Sequence, residues 1–268
     1  MNILVIGSNI IEQKLINLCK KSKYLDQIYT ASNNPIEGIP NIEYSDYEEL
    51  SRKIKAIQID IVLIAEKKLI QNGMVEFLKN KKINVISVNK KWFNLENSRF
   101  IAKQLMNYYS INNPQIIKVP NTFPIVIKTN APFSTKIANS MEELIKARED
   151  MADKQVFLEE YLYGEIYYLL SLWDGKSLAH FNPKINFTEV QEDRLDLYKT
   201  KLNIMYSDEK PDFIGFFISK LIWAKNDWHV LEYIMRLDNI FDLNVIEQDF
   251  LYLLNSTIYQ KLHETNLK

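Results

Sequence analysis

The residues with the clearest chemical potential lie near the end of the chain, in the segment HVLEYIMRLDN at residues 229–239. Glu232 lies in an apolar, strand-like run, and Arg236 follows it four residues later. This pair is typical of a metal and phosphate site, because Mg²⁺ prefers oxygen ligands and arginine matches the geometry of phosphate. Ile234, between them on the same face of the strand, has no lone pair to offer a metal. We therefore predict that Glu232 and Arg236 pair with each other.

The composition excludes several classes of partner. The chain has 33 Lys and Arg residues against 34 Asp and Glu residues, a formal charge of −1, so nothing favours nucleic acid or an anionic membrane surface. The single cysteine, Cys19, excludes an intramolecular disulfide, and the three scattered histidines form no zinc-type cluster. The N-terminus shows no signal peptide pattern, and no apolar run is long enough to span a bilayer. We expect a cytoplasmic protein that binds neither nucleic acid nor membranes.

The first 90 residues alternate continuous apolar runs with amphipathic helical patterns. Strands are predicted over residues 2–7, 26–32, 59–66 and 83–88. Such strands, separated by helices, predict a parallel sheet covered on both faces. One helix is predicted over residues 89–110, and the linking helix between the domains is assigned to 91–113.

The pattern after the linking region predicts two α+β lobes. The smaller, 114–163, contains strands at 124–128 and 154–162 and a helix that begins at a capping box formed by Ser140 and Glu143. The larger, 164–268, contains a hairpin over 165–184 that turns at Asp174 and Gly175. A helix over 212–225, a strand over 228–237 and a final helix complete it, and the order of the polar region 186–210 is left open.

Four segments, in order along nearly the whole chain, resemble the glycinamide ribonucleotide synthetases (phosphoribosylamine-glycine ligases), an ATP-grasp family of purine synthesis. They are MNILVIGSN, LENSRFIAKQLM, FPIVIKTNAPFSTK with VFLEEYLYGE, and HVLEYIMRLDN. The resemblance implies an α/β fold in which an N-terminal, Rossmann-like (pre-ATP-grasp) parallel-sheet domain at 1–90 precedes a two-lobed α+β ATP-grasp domain. It also implies a reaction in which ATP phosphorylates the carboxylate of glycine and the amine of phosphoribosylamine attacks the acyl phosphate. The family's usual C-terminal domain is expected to be absent.

The resemblance assigns nucleotide-binding roles to five residues. Lys128 lies where the family has its phosphate-contacting lysine, and Arg99 lies where the family has its other nucleotide lysine. Glu159, Glu160 and Leu162 match the hinge that recognises adenine through one carboxylate and two backbone groups. ATP is the implied cofactor, together with Mg²⁺.

The resemblance makes Glu232 a metal ligand and Arg236 a catalytic residue, but neighbouring positions depart from the family pattern. Ile234 replaces an asparagine that binds magnesium. Ile166 and Tyr168 replace the Glu and Ser of a Gly-x-Glu-x-Ser motif, and Glu165 lies one residue early, on the opposite face of a strand. These departures place metal binding in doubt.

The glycine-rich loops of the family are also missing. The segment TNAPFSTK, residues 129–136, has no glycine and contains a proline where bare backbone amides should approach phosphates. The segment GSNIIEQKL, residues 7–15, replaces a Gly-Gly-Arg-Glu-His anion site and leaves Gly7, Ser8 and Glu12. Both losses affect function and leave the scaffold intact.

Three hypotheses follow. The first is a phosphoribosylamine-glycine ligase-like protein that keeps the ATP-grasp architecture, lacks or nearly lacks ligase activity, and acts by binding a partner protein or a second copy. The second is a working ATP-dependent carboxylate-amine ligase with altered substrates and a metal ligand not yet recognised. The third is a nucleotide-binding regulator. ATP and Mg²⁺ are the expected cofactors if nucleotide binding is retained, and none is expected otherwise.

Overall fold

The computed structural model describes residues 1–7, 9–130, 134–151, 155–182 and 185–265. Three four-stranded sheets organise these residues, one parallel and two antiparallel. The strands of each sheet fall within one of the ranges 1–90, 114–163 and 164–268. The exact domain boundaries stay predictions.

The N-terminal sheet is parallel, as the sequence predicts, with strand order β2-β1-β3-β4. Its strands are β1 (Asn2–Ile6), β2 (Gln27–Ala31), β3 (Ile61–Ile64) and β4 (Val85–Ile86). The helices around it are α1 (Ile10–Lys20), α2 (Tyr47–Ile57), α3 (Lys67–Gln71) and α4 (Met74–Asn80). The short helix α3 was not predicted.

The linking region forms two helices, α5 (Lys90–Asn97) and α6 (Arg99–Tyr108), so the prediction of one continuous helix is wrong. The chain breaks at Ser98, whose backbone is extended (φ −135°, ψ 104°). Its hydroxyl accepts a hydrogen bond from the amide of Ile101 at 3.4 Å, and this N-cap starts a new helix. Arg99 therefore occupies the first position of α6.

The second sheet, which we call the lid sheet, is antiparallel with order β5-β8-β6-β7. Its strands are β5 (Ile116–Ile117), β6 (Ile125–Thr129), β7 (Thr135–Ala138) and β8 (Val156–Glu160). Helix α7 (Met141–Glu149) follows β7, and Ser140 caps it by accepting from the amide of Glu143. The Glu143 carboxylate accepts from the amide of Asn139, one residue before the cap, so the predicted capping box is only half formed.

The third sheet, which we call the large sheet, is antiparallel with order β10-β9-β11-β12. Its strands are β9 (Ile166–Trp173), β10 (Leu178–Phe181), β11 (Gly215–Ala224) and β12 (Asp227–Ile234). The prediction of a helix over 212–225 is wrong, because most of this segment forms β11, one of the two interior strands. Phe216 packs in one apolar core and Phe217 in another, so both faces of β11 are buried and its sequence shows no alternation.

The polar region left open by the sequence is mostly helical. Helix α8 (Glu189–Glu209) begins at a complete capping box formed by Thr188 and Gln191. Its buried side chains belong to the same core as the large sheet and are Leu195, Tyr198, Leu202, Met205 and Tyr206. Helix α9 (Phe250–Ile258) and two short 3₁₀ turns, Leu243–Val245 and Leu262–Glu264, end the described chain. No helix in the described ranges is long and apolar enough to cross a membrane.

The N-terminal sheet and the large sheet share their cores, whereas the lid sheet has its own. Two large apolar clusters each contain residues from both of these sheets. The amide of Ser87 donates to the carbonyl of Ile214 at 2.7 Å where the two sheets meet. A third, smaller cluster contains only lid residues, among them Ile125, Ile127 and Leu158. The molecule is thus a shared base with a separately packed lid.

Candidate functional site

The candidate site is a cleft between the lid sheet and the large sheet, closed on one side by α6. It contains two adjoining hollows of about 240 Å³ each. Five residues line both hollows and come from four different elements or their ends: Arg99, Lys128, Glu159, Leu231 and Glu232. Four of these five were predicted from the sequence as site residues, and the structure brings them together.

A buried network of three charges lies at the centre of the cleft. Glu159, on β8, is only 1% exposed. The Nζ atom of Lys128 lies 2.6 Å from its Oε2 atom, and the Nζ atom of Lys103 lies 2.9 Å from its Oε1 atom. Burial lowers the pKa of Lys128 from its ordinary value, although the charge of Glu159 opposes this shift. Glu159 is therefore the shared partner of two buried lysines, and the three charges together are net positive.

Sequence reasoning missed Lys103. It lies one helical turn after Arg99 on α6, and it also donates to the Asn113 side chain at 2.9 Å and to the Pro114 carbonyl. The sequence did contain an indication that Lys103 is buried, because the neighbouring positions Ala102 and Met106 place this part of α6 in the core. A lysine among buried positions indicates a specific partner.

Arg99 connects the linking region to the lid. Its Nη2 atom donates to the hydroxyl of Thr135 on β7 at 3.1 Å. Burial lowers its pKa, while the negative charges of Glu232 and Glu159 act in the opposite direction. The guanidinium is thus under the influence of both carboxylates of the cleft.

Glu232 pairs with Lys220, so the prediction that it pairs with Arg236 is wrong. The two residues face each other across β11 and β12, with Nζ and Oε1 2.9 Å apart. Strand β12 ends at Ile234, and Arg236 lies beyond it, where its side chain pairs with Asp238 and with Glu96 of α5. Glu232 pairs with Lys220 because the two residues lie opposite each other in the sheet. Arg236 lies beyond the end of β12 and pairs with residues that are nearer to it than Glu232.

Magnesium, which the family resemblance implies, does not fit the residues around Glu232. Burial alone would raise the pKa of Glu232, but the hydrogen bond and charge of Lys220, with Arg99 and Lys128, lower it overall. The carboxylate is thus already compensated by cations. Ile234 packs into an apolar core and supplies no oxygen. The described ranges contain no group of three His, Cys, Asp or Glu side chains suited to a metal ion.

The hinge between the lid sheet and the large sheet forms the far end of the cleft. The carboxylate of Glu160 accepts a hydrogen bond from the amide of Gln115 at 3.0 Å and forms an ion pair with Lys225. Because Lys225 lies in the turn between β11 and β12, this ion pair connects the end of β8 to that turn. Leu162 is buried against Ile222. In the described part of the chain, the backbone groups of Leu162 make no hydrogen bond.

An apolar slot adjoins this hinge. Its walls are formed by aliphatic side chains from both sheets: Val126, Ile137, Ile166, Ile222 and Leu231. The charged pair of Lys128 and Glu159 lies at the same hollow. The slot therefore offers two apolar faces and an edge with one acceptor and one donor.

The structure shows what the chain forms at several positions where the family motifs are missing. The carboxylate of Glu165 accepts from the hydroxyl of Tyr167, on the face of β9 away from the cleft, as predicted for a residue one position early. In the segment 129–136, the amide of Ser134 donates to the Thr129 hydroxyl at 2.8 Å. Residues 131–133, which include the proline of this segment, lie outside the described residues.

The first strand ends at an unusual buried carboxylate. Glu12 of α1 is fully buried, and neither of its carboxylate oxygens has a hydrogen-bond partner within the described ranges. Gly7, with φ +119°, makes room for it, because a Cβ atom on Gly7 would lie 2.9 Å from Oε1 of Glu12. Burial raises the pKa of Glu12 from its ordinary value, and nearby Glu66 adds to this shift. Ser8, also predicted here, lies outside the described residues.

Comparison with known proteins identifies relatives for nearly the whole chain. The family described as "Phosphoribosylglycinamide synthetase, N domain" matches residues 1–96. The phosphoribosylamine-glycine ligase of Fusobacterium nucleatum is 23% identical over 98% of this chain and 74% of its own length. That of Clostridium acetobutylicum is 24% identical over 100% of this chain and 77% of its own. The resemblance noted in the sequence is thus confirmed.

Solved structures support the same fold. The phosphoribosylamine-glycine ligase of Thermotoga maritima superimposes with a TM-score of 0.75 at 17% identity, over 97% of this chain and 76% of that one. The D-alanine-D-alanine ligase of Bacillus anthracis complexed with ATP superimposes with a TM-score of 0.66 at 17% identity, over 99% of both chains. The N-terminal parallel sheet and the two antiparallel sheets therefore form the architecture of ATP-grasp ligases.

Proposed function

We propose that this chain, a relative of the phosphoribosylamine-glycine ligases with the ATP-grasp fold, binds an adenine nucleotide between its lid sheet and its large sheet without carrying out the ligase reaction. The proposal combines two of the possibilities that the sequence leaves open, loss of ligase activity and retention of nucleotide binding.

The observation that carries the proposal is the ion pair of Lys128 and Glu159 beside the apolar slot. Adenine presents an amino donor, N6, next to a ring acceptor, N7. The Glu159 carboxylate accepts and the Lys128 ammonium donates, and the two atoms lie 2.6 Å apart, so the pair is complementary to that edge. The backbone groups of Leu162, which make no hydrogen bond to the residues that the structure describes, can bind the other polar edge of the base. Aliphatic side chains on both sides match the faces of the ring.

The phosphates would extend along the cleft towards Arg99. Its guanidinium suits a phosphate, because planar donors bind two phosphate oxygens at once. In this arrangement Arg99 takes the place of the family's lysine, as the resemblance implies.

Chemistry beyond binding is disfavoured by the residues around Glu232. Phosphoryl transfer from ATP depends on cations that neutralise charge developing on the transferred group, and bound magnesium is a common source of this positive charge. Here Ile234 provides no ligand and Glu232 is already paired with Lys220. Arg236, predicted as catalytic, is paired with Glu96 and Asp238.

Calorimetry with ATP tests the binding proposal. Lys128→Met should weaken ATP binding by about tenfold or more, since a charge-assisted hydrogen bond contributes roughly 1.5–3 kcal/mol. Lys136→Met is the matched control, because Lys136 lies on the opposite face of the lid sheet and pairs with Asp150. Absence of ATP binding by the unmodified protein, or equal losses in both variants, would refute the proposal.

A working ATP-dependent carboxylate-amine ligase, for glycinamide ribonucleotide synthesis or a related substrate, is the second candidate. It is favoured by one observation: Glu232 and Arg236 line the same hollow as Lys128 and Arg99. ADP formation that depends on glycine and phosphoribosylamine, and that Glu232→Ala abolishes, would establish this candidate. We expect no such turnover.

A nucleotide-binding protein without turnover would act in the cytoplasm through a partner protein or a second copy of itself. Helix α6 exposes Phe100, Ile101 and Tyr108, which lie outside both hollows of the cleft. Light scattering with and without ATP separates the two options. A mass that stays at one chain in both conditions would eliminate the second copy.

A further inference from the structure

We infer that the nucleotide site works without a divalent cation, because the ammonium group of Lys220 takes the position that a metal would occupy beside Glu232. This inference rests on the proposed nucleotide binding and specifies its chemistry. It assigns Lys220 a role in contacting the phosphates.

The position of Lys220 is fixed by the register of the large sheet. Lys220 on β11 lies directly opposite Glu232 on β12, and their charged atoms are 2.9 Å apart. Both side chains remain partly open, at 25% and 35% exposed, and both line the hollow that contains the apolar slot. The ammonium therefore faces the space that a nucleotide would fill.

The carboxylates that line the two hollows are already compensated by cations of the chain. Glu159 pairs with Lys103 and Lys128, and Glu232 pairs with Lys220. The remaining three pair as follows: Glu160 with Lys225, and Glu96 and Asp238 with Arg236. A divalent cation would have to displace an ammonium from Glu232 and then lie near the positive charges of Arg99 and Lys128. Coulomb repulsion opposes this exchange.

An ammonium can make the same bridge as a metal, although with one charge where a divalent metal has two. A lysine has three donor hydrogens, so Lys220 can donate one to Glu232 and others to phosphate oxygens. In solution, Mg²⁺ binds the same phosphate oxygens and would compete with Lys220 for them. Uncomplexed ADP carries more negative charge than its Mg²⁺ complex, and the cations Lys220, Arg99 and Lys128 already lie near Glu232. Because these cations attract the more negative ligand more strongly, we expect uncomplexed ADP to bind at least as tightly as the Mg²⁺ complex.

The test is calorimetric titration of the full chain with ADP, in excess EDTA and in millimolar MgCl₂. The unmodified protein should bind ADP equally well or better in EDTA. Lys220→Met should weaken ADP binding in EDTA by about tenfold, the loss of one charge-assisted hydrogen bond, whereas Lys220→Arg should keep most of the affinity. Lys136→Met again serves as the control, and circular dichroism checks that each variant is folded.

A second variant tests the exchange of metal for ammonium directly. Lys220→Met combined with Ile234→Asn removes the ammonium and supplies an amide oxygen beside Glu232. We expect ADP binding by this variant to become tighter when Mg²⁺ is added, unlike that of the unmodified protein. If this double variant does not fold, the Lys220→Met and Lys220→Arg titrations still decide the question.

The outcomes separate this inference from the function on which it rests. ADP binding that strengthens about tenfold or more with Mg²⁺ in the unmodified protein would overturn the inference and leave nucleotide binding intact. Lys220→Met with unchanged affinity in EDTA would also overturn it. No ADP binding in either buffer would overturn both the inference and the proposed function.

Discussion

Glu159 lies between two lysines in the cleft, and Glu232 faces a third. Buried charges destabilise a fold unless each has a partner of opposite sign, and here both carboxylates have ammonium partners before any ligand binds. A nucleotide would therefore bind by exchanging hydrogen bonds at Lys128 and Lys220. Lys128 and Lys220 would therefore both neutralise carboxylates of the cleft and bind the nucleotide, so a substitution at either position should affect stability and binding together.

Removing the charge of Glu159 should destabilise the protein. Glu159→Gln leaves Lys103 and Lys128 buried without a counter-charge, so we expect the free energy of unfolding to fall by about 3 kcal/mol or more. Glu160→Gln is the adjacent control, and it should lower the free energy of unfolding by about 1 kcal/mol or less, because its partner Lys225 is largely exposed. Urea denaturation measures both. Equal effects would show that the buried network contributes nothing specific.

Glu12 should make stability depend on pH in an unusual direction. Since burial raises its pKa above the ordinary value of 4.5, the folded chain keeps this proton to higher pH than the unfolded chain does. The free energy of unfolding then falls as pH rises through the interval between the two pKa values. Glu12→Gln, which is neutral throughout, should therefore raise stability at mildly alkaline pH, with a gain that shrinks towards pH 4.5.

Denaturation curves at several pH values measure this gain. The exposed Glu37→Gln is the control and should give the same small change at every pH. A Glu12→Gln variant that is less stable than the unmodified protein at alkaline pH would mean that the carboxylate has a favourable partner.

Sequence reasoning found Arg99, Lys128, Glu159 and Glu232, because family motifs preserve their order along the chain. It missed Lys220 and predicted the wrong partner for Glu232, since both depend on which residues face each other across β11 and β12. Which residues face each other across two strands depends on strand pairing and on the position of the turn. Because residues 212–225 were predicted to be a helix, no cross-strand partner could be predicted for Glu232. The wrong partner predicted for Glu232 is thus a consequence of predicting a helix where the chain forms β11.

At the scale of elements, the two largest surprises have different causes. Strand β11 is buried on both faces, so its continuous apolar run could not be distinguished from a buried helix by periodicity. Helix α8 was left open because its exposed faces are polar, although its buried residues recur every three or four positions, from Leu195 through Tyr206. That spacing, with the capping box at Thr188, was a signal that the sequence did contain.

Gly164 allows the hinge to lie against β11. A Cβ atom at this position would lie 1.9 Å from the carbonyl oxygen of Trp223, so Gly164→Ala must push the two segments apart. We expect it to lower the free energy of unfolding by about 3 kcal/mol and to weaken ATP binding. Gly38→Ala is the comparison, since its added atom meets nothing within 4 Å and only its φ of +75° is unfavourable, by about 1 kcal/mol.

Thermal and urea denaturation measure both glycine variants. If Gly164→Ala unfolds with the same free energy as Gly38→Ala, the close approach of the hinge to β11 is not an important contact.

At the scale of the whole molecule, the lid should unfold locally while the base stays folded. Among the described residues, Leu158 belongs to an apolar cluster formed by lid residues, whereas Leu169 belongs to the core that the N-terminal and large sheets share. Leu158→Ala should accelerate hydrogen exchange in β6, β7 and β8 alone. Leu169→Ala, with a similar loss of buried area, should accelerate exchange in the base and the lid together.

Hydrogen exchange followed by mass spectrometry resolves these regions. If Leu158→Ala also accelerates hydrogen exchange in β1 and β11, the lid and the base unfold as one unit. A separately packed lid also fits a cleft that opens and closes around a nucleotide.

The central claim, that the cleft binds an adenine nucleotide without ligase turnover, has one direct test. The purified chain is incubated with radiolabelled ATP, Mg²⁺, glycine and phosphoribosylamine, and the nucleotide that stays with the protein after rapid gel filtration is identified by chromatography. We predict that ATP is retained and intact, and that Lys128→Met retains much less of it. Formation of ADP together with glycinamide ribonucleotide, or the absence of any retained nucleotide, would contradict the account.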